Sequence, residues 1–334
     1  MQTAVAAIFV FLLVVLLHEL GHFTVAKLSG IKVNEFAIGM GPKLLQTIKG
    51  ETQYTLRLLP IGGFVKMEGE DENSTDPRSF NKVSPFKRIA TVAAGAIMNF
   101  VLAIVVLSIV AFYTGMPTTT IDEVIKDSPA EINGILEGDR VISINGKDIS
   151  SWRDLTDTIS SSNESKDMEV LLTRNGEERL IIVQPEEDNG RTIIGIIPAY
   201  EKSVGSAIRG GIETTGMFLS LMFDFLKNIF RGSVSTNDLS GPVGVITEIG
   251  RAAESGFLNL LYLLGFISVN LGFFNLLPIP ALDGSRIVFL LVELIRGKPM
   301  DPDKEGLIHT IGFLLLISLM LLVTYKDLLR INLF

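Results

Sequence analysis

The chain contains no cysteine, which excludes disulfide frameworks, thiolate metal sites and cysteine nucleophiles. It has one tryptophan and only three histidines, His18, His22 and His309, so any imidazole metal site must draw on those three. A basic surplus is also missing. With 29 Lys and Arg against 37 Asp and Glu, the formal net charge is −8, and nothing is available to neutralise phosphates. No nucleic-acid partner is expected. Charge of either sign is scarce, at 20% of 334 residues, whereas 47% are hydrophobic. The mean hydropathy of +0.42 is too apolar for an ordinary soluble domain and too polar for a bare membrane bundle. A mosaic of apolar spans and a water-facing portion follows.

Crossing roughly 30 Å of hydrocarbon takes about 20 mostly apolar residues. Four stretches qualify. Met1–His18 carries no Asp, Glu, Lys or Arg, and its apolar pattern continues past Glu19 to Ala26. Ile89–Ile121 is charge-free for 33 residues, Ser255–Leu282 for 28 and Gly306–Tyr325 for 20. The first lacks a basic leader and a small-residue cleavage site, so it reads as a retained span and not a signal peptide. Ala207–Phe230 is different: Arg209, Glu213, Asp224 and Lys227 interrupt it, and its apolar residues form one helical stripe. It reads as an amphipathic helix on the membrane surface or against the bundle.

Ten Lys and Arg fall between Lys27 and Arg88, and Arg296, Lys298 and Lys304 surround the loop between the last two spans. The positive-inside rule puts both loops in the cytoplasm, with both termini and Thr118–Glu254 outside. Lys326 and Arg330 pull weakly the other way. Within the outer segment, strands are expected at Thr118–Val124, Arg140–Ile144, Met168–Arg174, Glu178–Gln184 and Thr192–Ile197, with a helix over Trp152–Ile159. Turns are expected at Asn145-Gly146 and Asn175-Gly176, the whole making a partly open β-barrel. The string SPAEINGILEGDRVISINGKDISSWRDL resembles a PDZ domain in its permuted bacterial form, departing mildly at Asn133-Gly134-Ile135. PDZ domains take up extended peptides or C-termini by strand addition.

His18-Glu19-Leu20-Gly21-His22 stands within the first span. On a helix, residues i and i+4 share a face, so both imidazoles can reach one metal ion. Glu19 sits beside them, able to take a proton from water. An ionisable cluster inside a span is expensive unless it has a purpose. A hydrolytic zinc site needs a third protein ligand, which here must be His309, an Asp or a Glu. Asp283 closes the segment Asn275-Leu-Leu-Pro-Ile-Pro-Ala-Leu-Asp283-Gly284, where Pro278 and Pro280 break the helix. Broken backbone at membrane depth is tolerated where it lines a cavity. Asp283 is favoured over His309, which starts the fourth span with no partner pattern. Gln53–Leu59 and Phe64–Glu68 flank Pro60-Ile61-Gly62-Gly63 and read as a β-hairpin whose edge could clamp an unwound substrate.

HELGH, NLLPIPALDG, GGFVKMEG at Gly62–Gly69 and SGPVG at Ser240–Gly244, in that order, resemble the site-2 protease family over essentially the whole chain. The likeness is to bacterial regulator-of-sigma-E-type intramembrane zinc metalloproteases with one PDZ domain. It implies zinc held by His18, His22 and Asp283, Glu19 as general base, and Asn275 on the substrate backbone or developing oxyanion. It also implies substrate contacts at Gly62, Gly63, Phe64 and Pro278, and a bacterial inner-membrane location. Substrates would be single-span membrane proteins such as anti-sigma factors, or remnant signal peptides, with a substrate C-terminus read at the PDZ domain.

The expected fold class is therefore a polytopic α-helical membrane protein with four transmembrane helices, an inserted extracytoplasmic PDZ domain and a cytoplasm-side β-hairpin. Its segments are 1–27 with the HExxH motif, 28–88 with the hairpin, 89–114, 117–200 as PDZ, 201–256 as an extracytoplasmic amphipathic linker, 257–296, and 306–325. A PDZ-bearing adaptor with a structural metal is the non-enzymatic alternative, but a structural site needs no glutamate beside its ligands and usually has four of them. A metal transporter would show ligands along a path or paired repeats, and neither is visible.

Overall fold

The computed structural model of the chain describes residues 2–70, 74–162, 166–188, 190–233 and 240–330, with backbone alone at 60, 61, 302, 303 and 330. The chain divides into two compact units, residues 111–210 and the remainder.

In the larger unit, helices α1 (Gln2–Leu28), α2 (Pro85–Thr114), α7 (Phe257–Leu276) and α9 (Pro302–Arg330) are long and apolar enough to cross a membrane. Their faces divide by residue size. On α1, Ala7, Val10, Val14, His18, Gly21 and His22 turn inward, while Val5, Ile8 and Phe9 are exposed. On α9, Leu307, Ile311, Leu314, Leu315, Leu319 and Leu322 are exposed, which suits a helix bathed in lipid. Small residues let the backbones approach. A Cβ added at Gly21 would lie 2.3 Å from Ala94 O of α2, and one at Gly272 of α7 would lie 3.0 Å from Ala96 O. Ser268 Oγ of α7 donates to the Asn99 carbonyl of α2 at 2.8 Å. Ala6 and Val10 of α1, Leu102 and Val106 of α2 and Leu264 of α7 form a shared core, joined by Ile249.

Two further helices lie in the segment expected to be amphipathic. Helix α5 (Val204–Phe230) buries Ala207, Thr215, Phe218 and Met222 and exposes Ile208, Ile212, Phe223 and Ile229. Helix α6 (Pro242–Glu254) starts at Gly241, which has no side chain to cap it. The cap comes from α9 instead: Asp327, 3% exposed, accepts the Gly244 N–H at 2.8 Å. That satisfies one of the orphan donors every helix N-terminus carries. A Cβ at Gly241 would meet the same carboxylate at 2.7 Å, so the SGPVG run is a seat for Asp327.

The β-hairpin differs from the sequence expectation in where it turns. Strand β1 (Val33–Lys49) reverses at Gly50-Glu51 into β2 (Thr52–Met67), and Pro60–Gly63 lies within β2. Two glycines in a row suggested a turn, whereas Gly62 serves a bend in a long strand at φ 81°. Glu35–Ile38 pairs with Gly63–Lys66 on one side and with Gln53–Leu56 on the other. Among the described residues, the outer edge of 63–66 has no strand partner.

Within residues 111–210, strands β3 (Met116–Val124), β4 (Arg140–Ile144), β6 (Met168–Arg174), β7 (Glu177–Val183) and β10 (Ile196–Glu201) pair in the order β10-β3-β4-β6-β7. β5 (Lys147–Asp148) extends the β4 turn. The strand expected over Thr192–Ile197 is split. Gly195, at φ 82°, separates β9 (Arg191–Ile193), which pairs with β8 (Glu186–Asp188), from β10. The turns at Asn145-Gly146 and Asn175-Gly176 have all four residues at positive φ, from 52° to 86°, as two-residue hairpins require. Helix α3 (Pro129–Ile132) is capped by Ser128 and α4 (Trp152–Ser160) by Ser151. Ile121, Val141, Leu155, Met168, Val170 and Leu172 close the core.

Candidate metal centre

Helix periodicity sets His18 and His22 on the inward face of α1, each 8% exposed. The ring of His22 is oriented from α2, where the Thr91 carbonyl lies 2.9 Å from Nδ1. With Nδ1 donating there, Nε2 keeps its lone pair for a metal. Asn99, two turns further along α2 and fully buried, places its amide 3.2 Å from His18 Nδ1. Gly95 lies between them. A Cβ there would stand 2.3 Å from His22 Nε2 and 2.7 Å from His18 Cε1, so any side chain would fill the space the imidazoles face.

The third group arrives from the break after α7. Pro278 and Pro280 end the helix, and α8 (Asp283–Arg296) begins at the aspartate itself. Ala281 is held at φ 74°, unusual for a residue with a side chain, and its N–H donates to His309 Nδ1 at 3.1 Å. Gly284 is required behind Asp283, because a Cβ would lie 2.2 Å from Leu277 O. At the far end of α8, Glu293 accepts from Arg88 of α2 at 3.0 Å through Nη1 and also through Nη2. Arg286 pairs with Glu70. The broken segment is therefore pinned at several points, and Asp283 is presented on a fixed frame.

His18 Nε2 and His22 Nε2 lie 3.1 Å apart, and Asp283 Oδ2 lies 3.3 and 3.4 Å from them. Ligands about 2.0–2.1 Å from a tetrahedral zinc are separated by about 3.3 Å, so the spacing fits that ion. Asp283 Oδ2 is buried with no hydrogen-bond donor among the described residues, an orphan that a cation would satisfy. Among the described residues these three are the one group with ligand atoms converging in this way. Three protein ligands and an open fourth position are the arrangement of a hydrolytic zinc site.

The remaining residues singled out in the sequence divide. Glu19 is half-buried and within electrostatic reach of His18, His22, Asp283 and Glu70. Gly63 runs beside it: a Cβ there would lie 3.1 Å from Glu19 Cγ. Gly62 faces the Met40 side chain, and Phe64 lies under the Arg57 guanidinium, 4.8 Å from its ring centroid. Asn275 ends α7, half-buried, and its amide bonds to no described residue. Pro278 is exposed. His309 is a backbone acceptor and stands outside the converging triad. Sequence reasoning missed Thr91, Gly95 and Asn99, which recur every four residues on α2. The four-residue spacing inside a charge-free span was the available signal.

The chain as a whole is similar to known proteins. The model of peptidase family M50 matches residues 6–319. A chain from Clostridium acetobutylicum is 41% identical over 327 residues, covering 97% of this chain and 96% of that one. Zinc metalloprotease RasP of Geobacillus kaustophilus is 34% identical over 412 residues, with 98% of both chains covered. Regulator of sigma-W protease RasP of Bacillus subtilis is 33% identical over 418, with 99% of both covered. Among solved structures, the PDZ domain of the SdrC-like protein from Listeria monocytogenes matches 25% of this chain and 88% of its own, at 19% identity and TM-score 0.23. With four apolar helices and a zinc-compatible triad between them, the chain belongs to peptidase family M50 and is a multi-pass membrane zinc metalloprotease of the site-2 type.

Proposed function

We propose that the protein cuts the membrane segments of single-span proteins, with His18, His22 and Asp283 holding the zinc and Glu19 as general base. The observation that carries this reading is the triad of ligand atoms at 3.1–3.4 Å with Glu19 on the adjoining helical position. A zinc ion held by His18, His22 and Asp283 would supply a Lewis acid for the scissile carbonyl and a more acidic water, with a pKa of about 7. Glu19 accepts the proton as the water oxygen bonds to the carbonyl carbon, then delivers it to the amine as the C–N bond breaks. Asn275, with no partner among the described residues to give up, donates to the carbonyl oxygen as charge develops there.

A helical substrate hides its peptide bonds and must be drawn out. The edge of 63–66, without a strand partner among the described residues, has Gly63 beside Glu19, and Gly62, Gly63 and Phe64 can add an extended substrate strand there, with Pro278 as a further substrate contact. The excess of Lys and Arg in 28–88 supports a cytoplasmic hairpin, with both termini and residues 117–200 outside the bacterial inner membrane. The order of strands and the Ser128–Leu155 motif support a PDZ domain over 117–200 that reads a substrate C-terminus, followed by the 201–256 linker. The name of the Bacillus relative supports anti-sigma factors as substrates, and signal-peptide remnants offer the same chemistry. Because the chain lacks cysteine, single cysteines placed in 28–88 or 117–200 report sidedness without background.

Glu19→Gln tests the reading. Zinc occupancy should stay at one per chain while cleavage of a single-span substrate in detergent falls by about 10³-fold or more, and the intact substrate co-purifies. Cleavage within tenfold of wild type would remove Glu19 from the mechanism.

A further inference from the structure

We propose that Asn99 is a positioning residue of the metal centre, whose side-chain oxygen accepts the Nδ1 proton of His18 and so reserves Nε2 for zinc. The assignment rests on His18 ligating through Nε2. A neutral imidazole carries one proton, and a ring that gives Nε2 to a metal must carry it on Nδ1. That N–H then needs an acceptor, since an unpaired buried donor is destabilising. His22 has one in the Thr91 carbonyl at 2.9 Å. For His18 the neighbour of Nδ1 is the Asn99 amide, at 3.2 Å.

Which end of that amide faces the ring decides the tautomer. With the nitrogen toward Nδ1, the ring must accept there, its proton moves to Nε2, and the metal-facing lone pair is lost. In that sense Asn99 Oδ1 is also left buried without a partner among the described residues, in a side chain 0% exposed. An amide turned by 180° has nearly the same shape and fills the same space. Turning it brings Oδ1 against Nδ1–H, removes the orphaned oxygen and restores the lone pair at Nε2. One rotation does both, and moves the amide N–H group to the position the oxygen leaves. The backbone holds Asn99 in place for this: its carbonyl accepts from Ser268 Oγ at 2.8 Å, a hydroxyl that is itself 0% exposed. Residues 91, 95 and 99 thus divide the work on one face of α2, as acceptor for His22, clearance for the rings and acceptor for His18.

The test compares zinc affinity, by chelator competition on purified full-length protein, in wild type, Asn99→Asp and Asn99→Leu. Asp keeps an acceptor and removes the donor, so its affinity should stay within about threefold of wild type or tighten. Leu keeps the volume without an acceptor, and affinity should fall 10- to 100-fold, as loss of an outer partner of a ligating histidine does. With only three histidines, nitrogen-15 labelling also resolves each ring. Zinc-loaded wild type should show His18 protonated at Nδ1, with that proton exchanging faster in Asn99→Leu. Wild-type affinity in Asn99→Leu, or a tenfold or greater loss in Asn99→Asp, overturns the assignment. If Asn99→Leu does not fold, Asn99→Asp and the wild-type tautomer decide alone. Wild type binding no zinc would instead defeat the metal-centre reading itself.

Discussion

Gly95→Ala adds one methyl group at the point where both imidazoles converge. Its Cβ would stand 2.3 Å from His22 Nε2 and 2.7 Å from Cε1 of each ring. Non-bonded contacts settle at about 3.5 Å, so the His22 ring must retreat by about 1 Å. A zinc–nitrogen bond of about 2.0–2.1 Å does not stretch that far. The helices cannot readily part instead, because Gly21 already sets α1 against the Ala94 carbonyl, 2.3 Å from where a Cβ would be. Overpacking of this kind costs about 1–3 kcal/mol of stability, small enough to leave the bundle folded. Zinc affinity should fall at least 100-fold, about 2.8 kcal/mol. Chelator competition measures the affinity, and thermal unfolding of the same sample separates it from a folding defect. Alanine at 95 with wild-type zinc affinity would refute the placement of the metal against this face of α2.

Three further outcomes follow from single contacts. His309→Ala should leave zinc stoichiometry at one per chain, because His309 receives the Ala281 N–H and not the metal; zinc analysis that shows loss would return it to the ligand set. Asp327→Ala removes the cap of α6, which should lower stability by about 1 kcal/mol and speed amide exchange at Gly244; unchanged exchange there would contradict it. Burial opposes the charge on Asp139, but hydrogen bonds from Arg174 and the Leu136 N–H outweigh it and hold the carboxyl below its ordinary range. A folded pKa below the unfolded one stabilises above about pH 4 and is lost as pH falls through the folded value. Arg174→Met should therefore be less stable by roughly 3 kcal/mol near neutral pH, with the gap narrowing as pH falls toward and below about pH 4 in thermal scans.

The parts of the site that announce themselves in sequence are those made of unusual residues. Two of three histidines spaced by four, with Glu19 between them, are conspicuous on an apolar helix, and two prolines ahead of Asp283 mark a break. The α2 face is silent for the opposite reason. A threonine carbonyl, a missing side chain and an amide carry no charge, and within a long apolar run they look like packing. Gly62-Gly63 misled about the hairpin turn because a bend inside a strand and a turn between strands ask for the same residue. The Asp327 cap lies 83 residues from Gly244, beyond any local pattern, so the SGPVG run was recognisable as a motif without its physical purpose.

Zinc K-edge absorption on the purified protein, with Asp283→Ala alongside, tests the convergence of α1 and α8 on one ion most directly. Wild type should show two imidazoles and oxygen neighbours at about 2.0–2.2 Å with no sulfur, and Asp283→Ala should lose an oxygen neighbour together with most of its zinc. A third imidazole, or an unchanged zinc environment in Asp283→Ala, would contradict it.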